Sequence, residues 1–484
     1  MKNETSQSSP ARRATGFDIF QYALGDGAFS IIMNGMNNFA MIFLTQILGL
    51  GPRLAALTIS IALVWDAVTD PVMGHISDNT RSRWGRRQPY ILIGGILSAI
   101  AFISFWTLPQ LFSTQMMIFI SVLFLNLLIR TALTIYMVPY TALGFEICPE
   151  YESRAQLQGM RFFINQITNF TFGALAWSLF FQERTDAGGG VIDGSLIPSN
   201  YLTMSFVLAF FMALLVVVCC RGMRKFTEDN RANTVSGNTI KEFWKDFASI
   251  FKDRLAVRVF LFFIAAQFAI MLMGQTQMFT YIFYMKFSAV EKTVVHGAGM
   301  LSFAFASLCL SKVVKRFDKK PAGFIGMALS MFGGIGLFVI FFGGILQPQQ
   351  LPFTVFGKTF SVAMVVFGLL QMCWWGGCGL FVPLASSMVA DIAAINEQKT
   401  GQNKNASYAA VFTFCIKAAG SIGIILCGAI IAAAGIISGA AEQSPEAVRR
   451  IGMMTFLSGP SVMIFAIVLL AVYPVTRKSI EENK

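Results

Sequence analysis

Two aspartates lie one helical turn apart in an otherwise apolar stretch, WDAVTDP. Asp66 and Asp70 are four residues apart, so a helix places both carboxylates on one face, with Thr69 beside them. Two carboxylates in a dry site repel each other, so the pair requires a proton on one of them or a cation between them. The pattern predicts a coupling site for Na⁺ or H⁺. Alternatively, each aspartate pairs with a buried Lys or Arg and thereby joins two helices.

Polar side chains also recur at one-turn intervals in two other apolar stretches. Asp26, Ser30 and Asn34 form one stripe, and Arg161, Asn165 and Asn169 form the other. Such stripes suit a water-filled cavity whose solute carries many hydroxyl groups. The alternative is that the amides join membrane helices, at about 0.6 kcal/mol per hydrogen bond. We take Asp26, Ser30, Asn34, Arg161 and Asn165 as candidate substrate-binding residues.

Two basic residues lie inside apolar stretches as well. Lys417, in FTFCIKAAGS, has Thr413 one turn before it, and both are candidate substrate-binding residues. An ionisable side chain at bilayer depth costs about 2.5–3.5 kcal/mol, so a buried ammonium needs an anion. Asp66 and Asp70 are the candidates. Arg130 is compatible either with lining the same cavity or with reaching the membrane surface.

The other polar or aromatic features point to structural roles. His75 and His296 have no companion ligands, and Trp374 and Trp375 fit aromatic packing better than stacking on a sugar. The run Gly357-Lys358-Thr359 lacks the first glycine of a phosphate-binding loop, so no nucleotide is expected. A membrane enzyme would need an acidic or histidine cluster such as D-x-D, which the sequence lacks. We therefore expect no enzyme activity and no cofactor beyond the coupling ion.

The composition indicates that membrane-spanning helices carry all these residues. Hydrophobic residues make up 55% of the 484 residues and charged residues 13%, about half the ~25% that is usual in soluble proteins. We predict an all-α membrane protein with 12 transmembrane helices. The predicted spans are 18–49, 54–77, 89–108, 114–145, 155–182, 200–220, 255–286, 293–314, 321–345, 360–391, 406–437 and 452–475.

The distribution of basic residues predicts the orientation. With a cytoplasmic N-terminus, 27 of the 37 Lys and Arg residues fall at the termini and in the even-numbered connectors. Because cytoplasmic connectors are enriched in Lys and Arg, both termini are expected in the cytoplasm. The expected location is the plasma membrane. The basic residues occupy short connectors rather than one face, which argues against a nucleic-acid partner.

The chain also divides into two similar halves. The connector 221–254 separates a first bundle, 18–220, from a second, 255–475, with tails at 1–17 and 476–484. Pro89 and Pro321 open corresponding spans 232 residues apart, and each is followed five residues later by a glycine, Gly94 or Gly326. We predict two pseudo-symmetric six-helix bundles, and parallel repeats of six helices characterise one large transporter fold.

Longer motifs resemble one branch of the major facilitator superfamily, whose members have that fold. The run WDAVTDPVMGHISDNTRSRWGRRQPYILIGG is similar to the second span and following connector of the glycoside–pentoside–hexuronide:cation symporters. YALGDGAFSIIMN resembles that family's opening helix, and MVPYTALGFEICPEYESRAQLQGMRFF resembles its fourth-to-fifth connector. MVADIAAINEQKTGQ looks like its tenth-to-eleventh region, so the resemblance extends over both halves.

The resemblance implies roles for individual residues. Asp66 and Asp70, with Thr69 nearby, would bind the cation, Arg161 would face the sugar, and Lys417 would lie next to both sites. A cytoplasmic gate would contain Asp78, Arg83, Arg86, Arg87 and Glu146.

The implied function is symport of a sugar or glycoside with Na⁺ or H⁺ by alternating access, in a monomer surrounded by lipid. Relatives of this branch move lysophospholipids, and a cavity rich in Phe and Met would accept an acyl chain, so lysophospholipid transport is the alternative.

Overall fold

The computed structural model describes residues 14–80, 82, 84–147, 151–185, 191–226, 249–355, 357–400, 405–440 and 442–473. Most of the predicted linker, and most of both predicted tails, lie outside these residues. The described chain is almost entirely helical, which confirms the predicted fold class.

The first half contains α1 (Gly16–Ile42), α2 (Pro52–Asn79), α3 (Gln88–Thr107), α4 (Gln115–Ile147), α5 (Tyr151–Thr168), α6 (Leu175–Phe180) and α7 (Pro198–Met223). The second half contains α8 (Arg254–Phe279), α9 (Ala289–Phe317), α10 (Lys319–Phe342), α11 (Val362–Thr400), α12 (Asn405–Ala434) and α13 (Pro445–Ala471). Three π-helical turns, Phe43–Ile47, Asn169–Ala174 and Thr280–Tyr284, extend α1, join α5 to α6, and extend α8.

Two small antiparallel hairpins lie in connectors. In the first, β1 (Arg184–Thr185) pairs with β2 (Val191–Ile192). In the second, β3 (Pro352–Val355) pairs with β4 (Lys358–Ser361), with Pro352 opposite Ser361.

Within the described residues, eleven helices are long and apolar enough to cross a membrane. The twelfth predicted span, 155–182, corresponds to α5, its π-helical turn and α6, which form one helical path with more polar residues than the others. Large apolar side chains face outward all round the molecule, for example Phe210, Phe305 and Phe332, each more than 60% exposed. A surface of this kind requires lipid, so the chain is a multi-pass membrane protein.

Helix ends follow the local sequence. Thr15 and Asp18 form a capping box at the start of α1, and Ser288 and Glu291 form another at the start of α9. Each box satisfies backbone N–H groups that have no partner inside the helix. The helices α2, α3, α7 and α13 have proline in the first turn, where its missing N–H carries no penalty.

Helix packing repeats between the halves. In the first half, α1 packs on α5 and α7, α3 packs on α4 and α7, and α2 packs on α4. In the second half, the equivalent helices pack in the same five pairs: α8 on α12 and α13, α10 on α11 and α13, and α9 on α11. The halves are therefore two copies of one bundle, as the sequence predicts.

Two glycines at equivalent positions permit one of these close contacts in each half. A Cβ atom on Gly94 of α3 would lie 2.6 Å from the backbone nitrogen of Tyr136 on α4. A Cβ atom on Gly326 of α10 would lie 2.9 Å from the carbonyl oxygen of Gly377 on α11. Both distances are too short for any side chain, so the recurring Pro–Gly spacing marks the same helix crossing twice.

The two bundles contact each other mainly on the side opposite to the start of α1, which we call the far side. There α2 packs along α12, and α6 with its π-helical turn packs on α9. Ser60 and Ser421 donate hydrogen bonds to each other's carbonyl oxygens at 2.8 and 3.0 Å. Farther out, the Gly439 amide donates to the carbonyl of Thr45 at 2.9 Å. The described contacts thus close the interface from the middle of the molecule to the far side.

Candidate ion and substrate site

The two aspartates of α2 meet the lysine of α12 at the interface between the bundles. Lys417 Nζ lies 3.0 Å from Asp66 Oδ2 and also pairs with Asp70 Oδ2. The one-turn spacing of the aspartates therefore brings both carboxylates to one ammonium group, and this contact crosses between bundles. The predicted partnership of Lys417 with Asp66 and Asp70 is present in the structure.

The fourth helix contributes two further side chains to this cluster. The Thr134 hydroxyl lies 3.0 Å from Asp66 Oδ1 and 2.9 Å from Asp70 Oδ1, within hydrogen-bond distance of both carboxylates. One turn earlier, Arg130 Nη1 lies 3.7 Å from Asp66 Oδ2. We call Asp66, Asp70, Arg130, Thr134 and Lys417 the carboxylate cluster. It combines both possibilities raised by the sequence, since its acids are grouped as a coupling site requires and are also paired with basic residues.

The cluster is partly open to its surroundings. The side chain of Asp70 is 32% exposed and that of Lys417 is 19% exposed, whereas those of Asp66 and Arg130 are almost buried. Asp70 is therefore the more accessible of the two acids. Thr69 lies beside the cluster, but its hydroxyl donates to the carbonyl oxygen of Trp65 at 3.1 Å and lies 3.4 Å from Thr134 Oγ1.

A second ion pair joins α1 to α5. Arg161 Nε donates to Asp26 Oδ2 at 3.1 Å, and both side chains are 13% exposed. The guanidinium lies 5.3 Å from the ring centre of Tyr140, which stacks on Tyr22 with ring centres 4.4 Å apart. The Arg161 guanidinium is therefore held from two directions, by the carboxylate of Asp26 and by the ring of Tyr140.

The polar stripes of α1 and α5 form one hydrogen-bonded network centred on Asn169. Its Oδ1 accepts from Ser30 Oγ at 3.0 Å and from Asn34 Nδ2, while its Nδ2 donates to Asn165 Oδ1 at 2.9 Å and to Gln166 Oε1 at 3.1 Å. The amides thus join two helices, as the alternative interpretation expects. The side chains of Asn34, Asn165 and Asn169 are only half-buried, so part of each is available to a solute.

The structure describes only some of the remaining predicted site residues. Thr413 is exposed on α12, one turn before Lys417. Arg86 and buried Arg87 precede α3, in the connector where the gate is predicted. Arg83 and the side chains of Asp78 and Glu146 lie outside the described part of the structure, so the gate stays a prediction.

Three other features singled out in the sequence are either buried or part of a hairpin, and the side chain of His75 lies outside the described residues. Trp374 is fully buried, and a Cβ on Gly459 would lie 2.4 Å from its ring. His296 is 1% exposed. Gly357, Lys358 and Thr359 belong to the hairpin of β3 and β4, which has no phosphate-loop geometry.

A cavity of about 400 Å³ lies at the start of α8, where Ser249, Asp253 and Arg254 approach Tyr408 of α12 and Ile392 of α11. The Tyr408 hydroxyl donates to Asp253 Oδ2 at 2.6 Å and closes one wall of this cavity. None of the predicted ion or substrate residues lines it.

A family model decides the relationship. The model described as MFS/sugar transport protein matches residues 21–477 of the chain. This chain belongs to that family. The resemblance to the cation symporters of the major facilitator superfamily is thereby confirmed, and a transporter family agrees with the expectation that the chain is not an enzyme.

The names of relatives in this family state two kinds of solute. The isoprimeverose transporter of Lactiplantibacillus pentosus is 23% identical, over 94% of this chain and 89% of the relative. The sodium-dependent lysophosphatidylcholine symporter 1-A of Danio rerio is 21% identical, over 99% of this chain and 89% of the relative. The chain spans only 30% and 46% of the length of two other bacterial symporters that it matches.

Solved structures agree on the fold. A bacterial homolog of the human lysosomal transporter Spinster superposes with a TM-score of 0.68 at 12% identity, covering 99% of both chains. At this identity the likeness concerns the helix arrangement alone.

Sequence reasoning overlooked Thr134 and left Arg130 undecided. A signal was present, because Arg130 and Thr134 are four residues apart within one predicted span. Their spacing equals that of Asp66 and Asp70, and two such faces on neighbouring helices of this MFS bundle meet directly.

Proposed function

We propose that the chain is a secondary active transporter that carries a sugar or glycoside together with Na⁺ or H⁺ by alternating access. The observation that carries this proposal is the carboxylate cluster, in which two acids of one bundle share an ammonium group of the other. We further propose that it acts as a monomer in the plasma membrane, which is the inner membrane if the source is a bacterium, with both termini in the cytoplasm.

The proposed mechanism begins with a cation at Asp70, the more exposed acid. A cation there competes with Lys417 for Asp70 Oδ2, and it thereby weakens the contact between α2 and α12. The bundles can then separate at the far side. Ion and sugar must raise each other's affinity by the same factor, typically about 5- to 150-fold for coupled sites.

The proposed sugar site lies between α1 and α5. Ser30, Asn34 and Asn169 offer hydroxyl and amide groups that match sugar hydroxyls, and the Asp26–Arg161 pair adds charge-assisted hydrogen bonds. The isoprimeverose transporter, a full-length relative, supports a glycoside as the solute.

A lysophospholipid is the second candidate solute. The Danio rerio relative, which is named a sodium-dependent lysophosphatidylcholine symporter, supports this candidate. The polar network on α1 and α5 favours the sugar, because an acyl chain gains nothing from these groups.

Uptake into proteoliposomes tests the proposal. The purified protein is reconstituted, and uptake of radiolabelled glycosides and pentosides is measured with an inward Na⁺ gradient, with an inward H⁺ gradient, and with neither. We expect one gradient to drive accumulation above the external concentration. Uptake of every tested sugar that ignores both gradients contradicts symport, and gradient-driven uptake of lysophosphatidylcholine instead identifies the second candidate.

A buried ion pair at the far side is expected to hold the closed arrangement. Lys292, whose side chain is fully buried at the start of α9, pairs with Asp193 of the first half and lies 5.2 Å from the ring centre of Trp177. Removing one partner of a buried pair costs about 3–5 kcal/mol. We therefore expect Lys292→Met to favour the arrangement that is open at the far side.

Labelling from the far side measures this shift. Asn37→Cys places a thiol at an exposed position of α1 near the interface between the bundles, in a chain whose eight native cysteines are replaced. A membrane-impermeant maleimide should label it at least about tenfold faster when Lys292→Met is added. The matched control is Lys315→Met on the same helix, which should leave the rate unchanged, and equal rates in all three chains would contradict the role of the pair.

A further inference from the structure

Arg130 differs from the other members of the carboxylate cluster in having few direct partners. It extends from α4, is 9% exposed as a residue, and faces Asp66 Oδ2 at 3.7 Å. Toward α1 its Nη1 contacts the sulfur of Met33 at 3.9 Å. It thus lies between the carboxylates and the helix that carries Ser30 and Asn34.

The charges of the cluster balance without any bound ion. Asp66 and Asp70 supply two negative charges, and Lys417 and Arg130 supply two positive ones. A guanidinium is always protonated in proteins, so its charge is permanent. A neutral side chain at this position would leave one negative charge unbalanced, and a bound cation would be needed to compensate for it.

The two positive groups differ in the bundle to which they belong. Lys417 is on α12 of the second bundle, so it withdraws from the aspartates when the bundles separate. Arg130 is on α4, which packs on α2 within the first bundle. It therefore stays beside Asp66 in every arrangement of the two bundles, and the aspartates never face an arriving ion with both negative charges free.

A metal ion and a proton make different demands on this site. Hard cations are bound by several oxygen atoms at once, and the cluster offers four carboxylate oxygens and the hydroxyl of Thr134. Arg130 faces one of these oxygens and repels a second cation close to it. A proton needs a single oxygen, and the carboxylate of Asp70, which is 32% exposed and lies one turn beyond Asp66, provides one.

We propose that Arg130 takes the electrostatic place of a bound metal ion in the carboxylate cluster, so that the site excludes Na⁺ and a proton is the coupling ion. This inference rests on the proposed symport, whose ion it specifies. Two unit charges about 4 Å apart at a partly buried site interact strongly. Neutralising Arg130 should therefore raise the affinity for Na⁺ on the order of a hundredfold or more.

Direct binding of radioactive ²²Na⁺ to the purified full-length protein tests the inference without any sugar. Arg130→Gln removes the charge, and Arg130→Lys retains it as the matched control. We expect no saturable, K⁺-insensitive ²²Na⁺ binding to the wild type or to Arg130→Lys, and saturable binding to Arg130→Gln. Melting temperature in NaCl and in KCl provides a second measurement, in which Arg130→Gln alone should be stabilised by Na⁺.

Either of two results would overturn the inference. One is saturable ²²Na⁺ binding to the wild type, which stands whether or not any variant folds. The other is an Arg130→Gln protein that unfolds cooperatively and elutes as a single species, yet gains no Na⁺ binding. Failure of the proposed symport would look different, since no gradient would then drive sugar uptake while the ²²Na⁺ result would keep its meaning.

Discussion

Asp70→Asn is expected to abolish gradient-driven accumulation of the sugar while leaving its equilibration across the membrane largely intact. The variant removes the more exposed carboxylate of the cluster, and Lys417 keeps Asp66 as its partner at 3.0 Å. The protein should therefore fold, and the bundles should still meet through α2 and α12. Without the second acid the site no longer distinguishes ion-loaded from empty states, so the internal-to-external ratio should fall to about 1.

Asp66→Asn is the informative comparison. Asp66 faces both Arg130 and Lys417, and its loss removes from a nearly buried guanidinium the acid that it contacts. That variant should lose accumulation and also melt at a lower temperature, because an uncompensated buried charge costs about 3–5 kcal/mol. Uptake against a gradient by a well-folded Asp70→Asn protein would show that the cluster only joins the bundles. The control is exchange of internal for external labelled sugar, which shows that the variant still transports.

Much of the fold could be predicted because the relevant patterns are local. Length and hydropathy locate the spans, and the Pro–Gly spacing near Gly94 and Gly326 indicates the repeat. The interruption of the fifth span could not be predicted in this way. Its π-helical turn, Asn169–Ala174, begins at a residue whose side chain contacts α1, and such contacts arise only once the bundle is assembled.

The site could be predicted one helix at a time but not as an assembly. Spacing within a helix places Asp66 beside Asp70, and composition alone suggests an anion for Lys417. Which face of α4 meets α2 depends on how those helices cross, so the partnership of Thr134 with both acids is visible only in three dimensions. For the same reason Arg130 was equally compatible with the interior and with the membrane surface.

Two ion pairs of the first bundle, Asp66 with Arg130 and Asp26 with Arg161, have different neighbours, which indicates different roles. Arg130 faces acids that also contact the second bundle, so its charge bears on coupling between bundles. Arg161 faces Asp26 within the first bundle, beside the network centred on Asn169. A substitution at Arg161 should therefore change how tightly the sugar is held without changing whether an ion gradient drives it.

Arg161→Lys is expected to weaken sugar binding about tenfold to a hundredfold, the range for losing a hydrogen bond from a charged group. The lysine keeps the positive charge beside Asp26, so the carboxylate does not become unpaired. It lacks the planar fork of the guanidinium and its contact with the ring of Tyr140. Half-saturating sugar concentration and maximal rate are measured in the same proteoliposomes, and the first should rise while the ratio reached at equilibrium stays the same.

The matched control is the other pair that begins on α1, Asp18 with Lys225. Lys225→Arg is the reverse of the Arg-to-Lys substitution. It lies near the start of α1, away from the polar network. Transport should not respond to it, because nothing in that pair contacts the stripe of Asp26, Ser30 and Asn34. An unchanged half-saturating concentration in Arg161→Lys would mean that the Asp26–Arg161 pair only joins α1 to α5. The solute would then have to bind elsewhere between the bundles, nearer to Thr413 and Lys417 on α12.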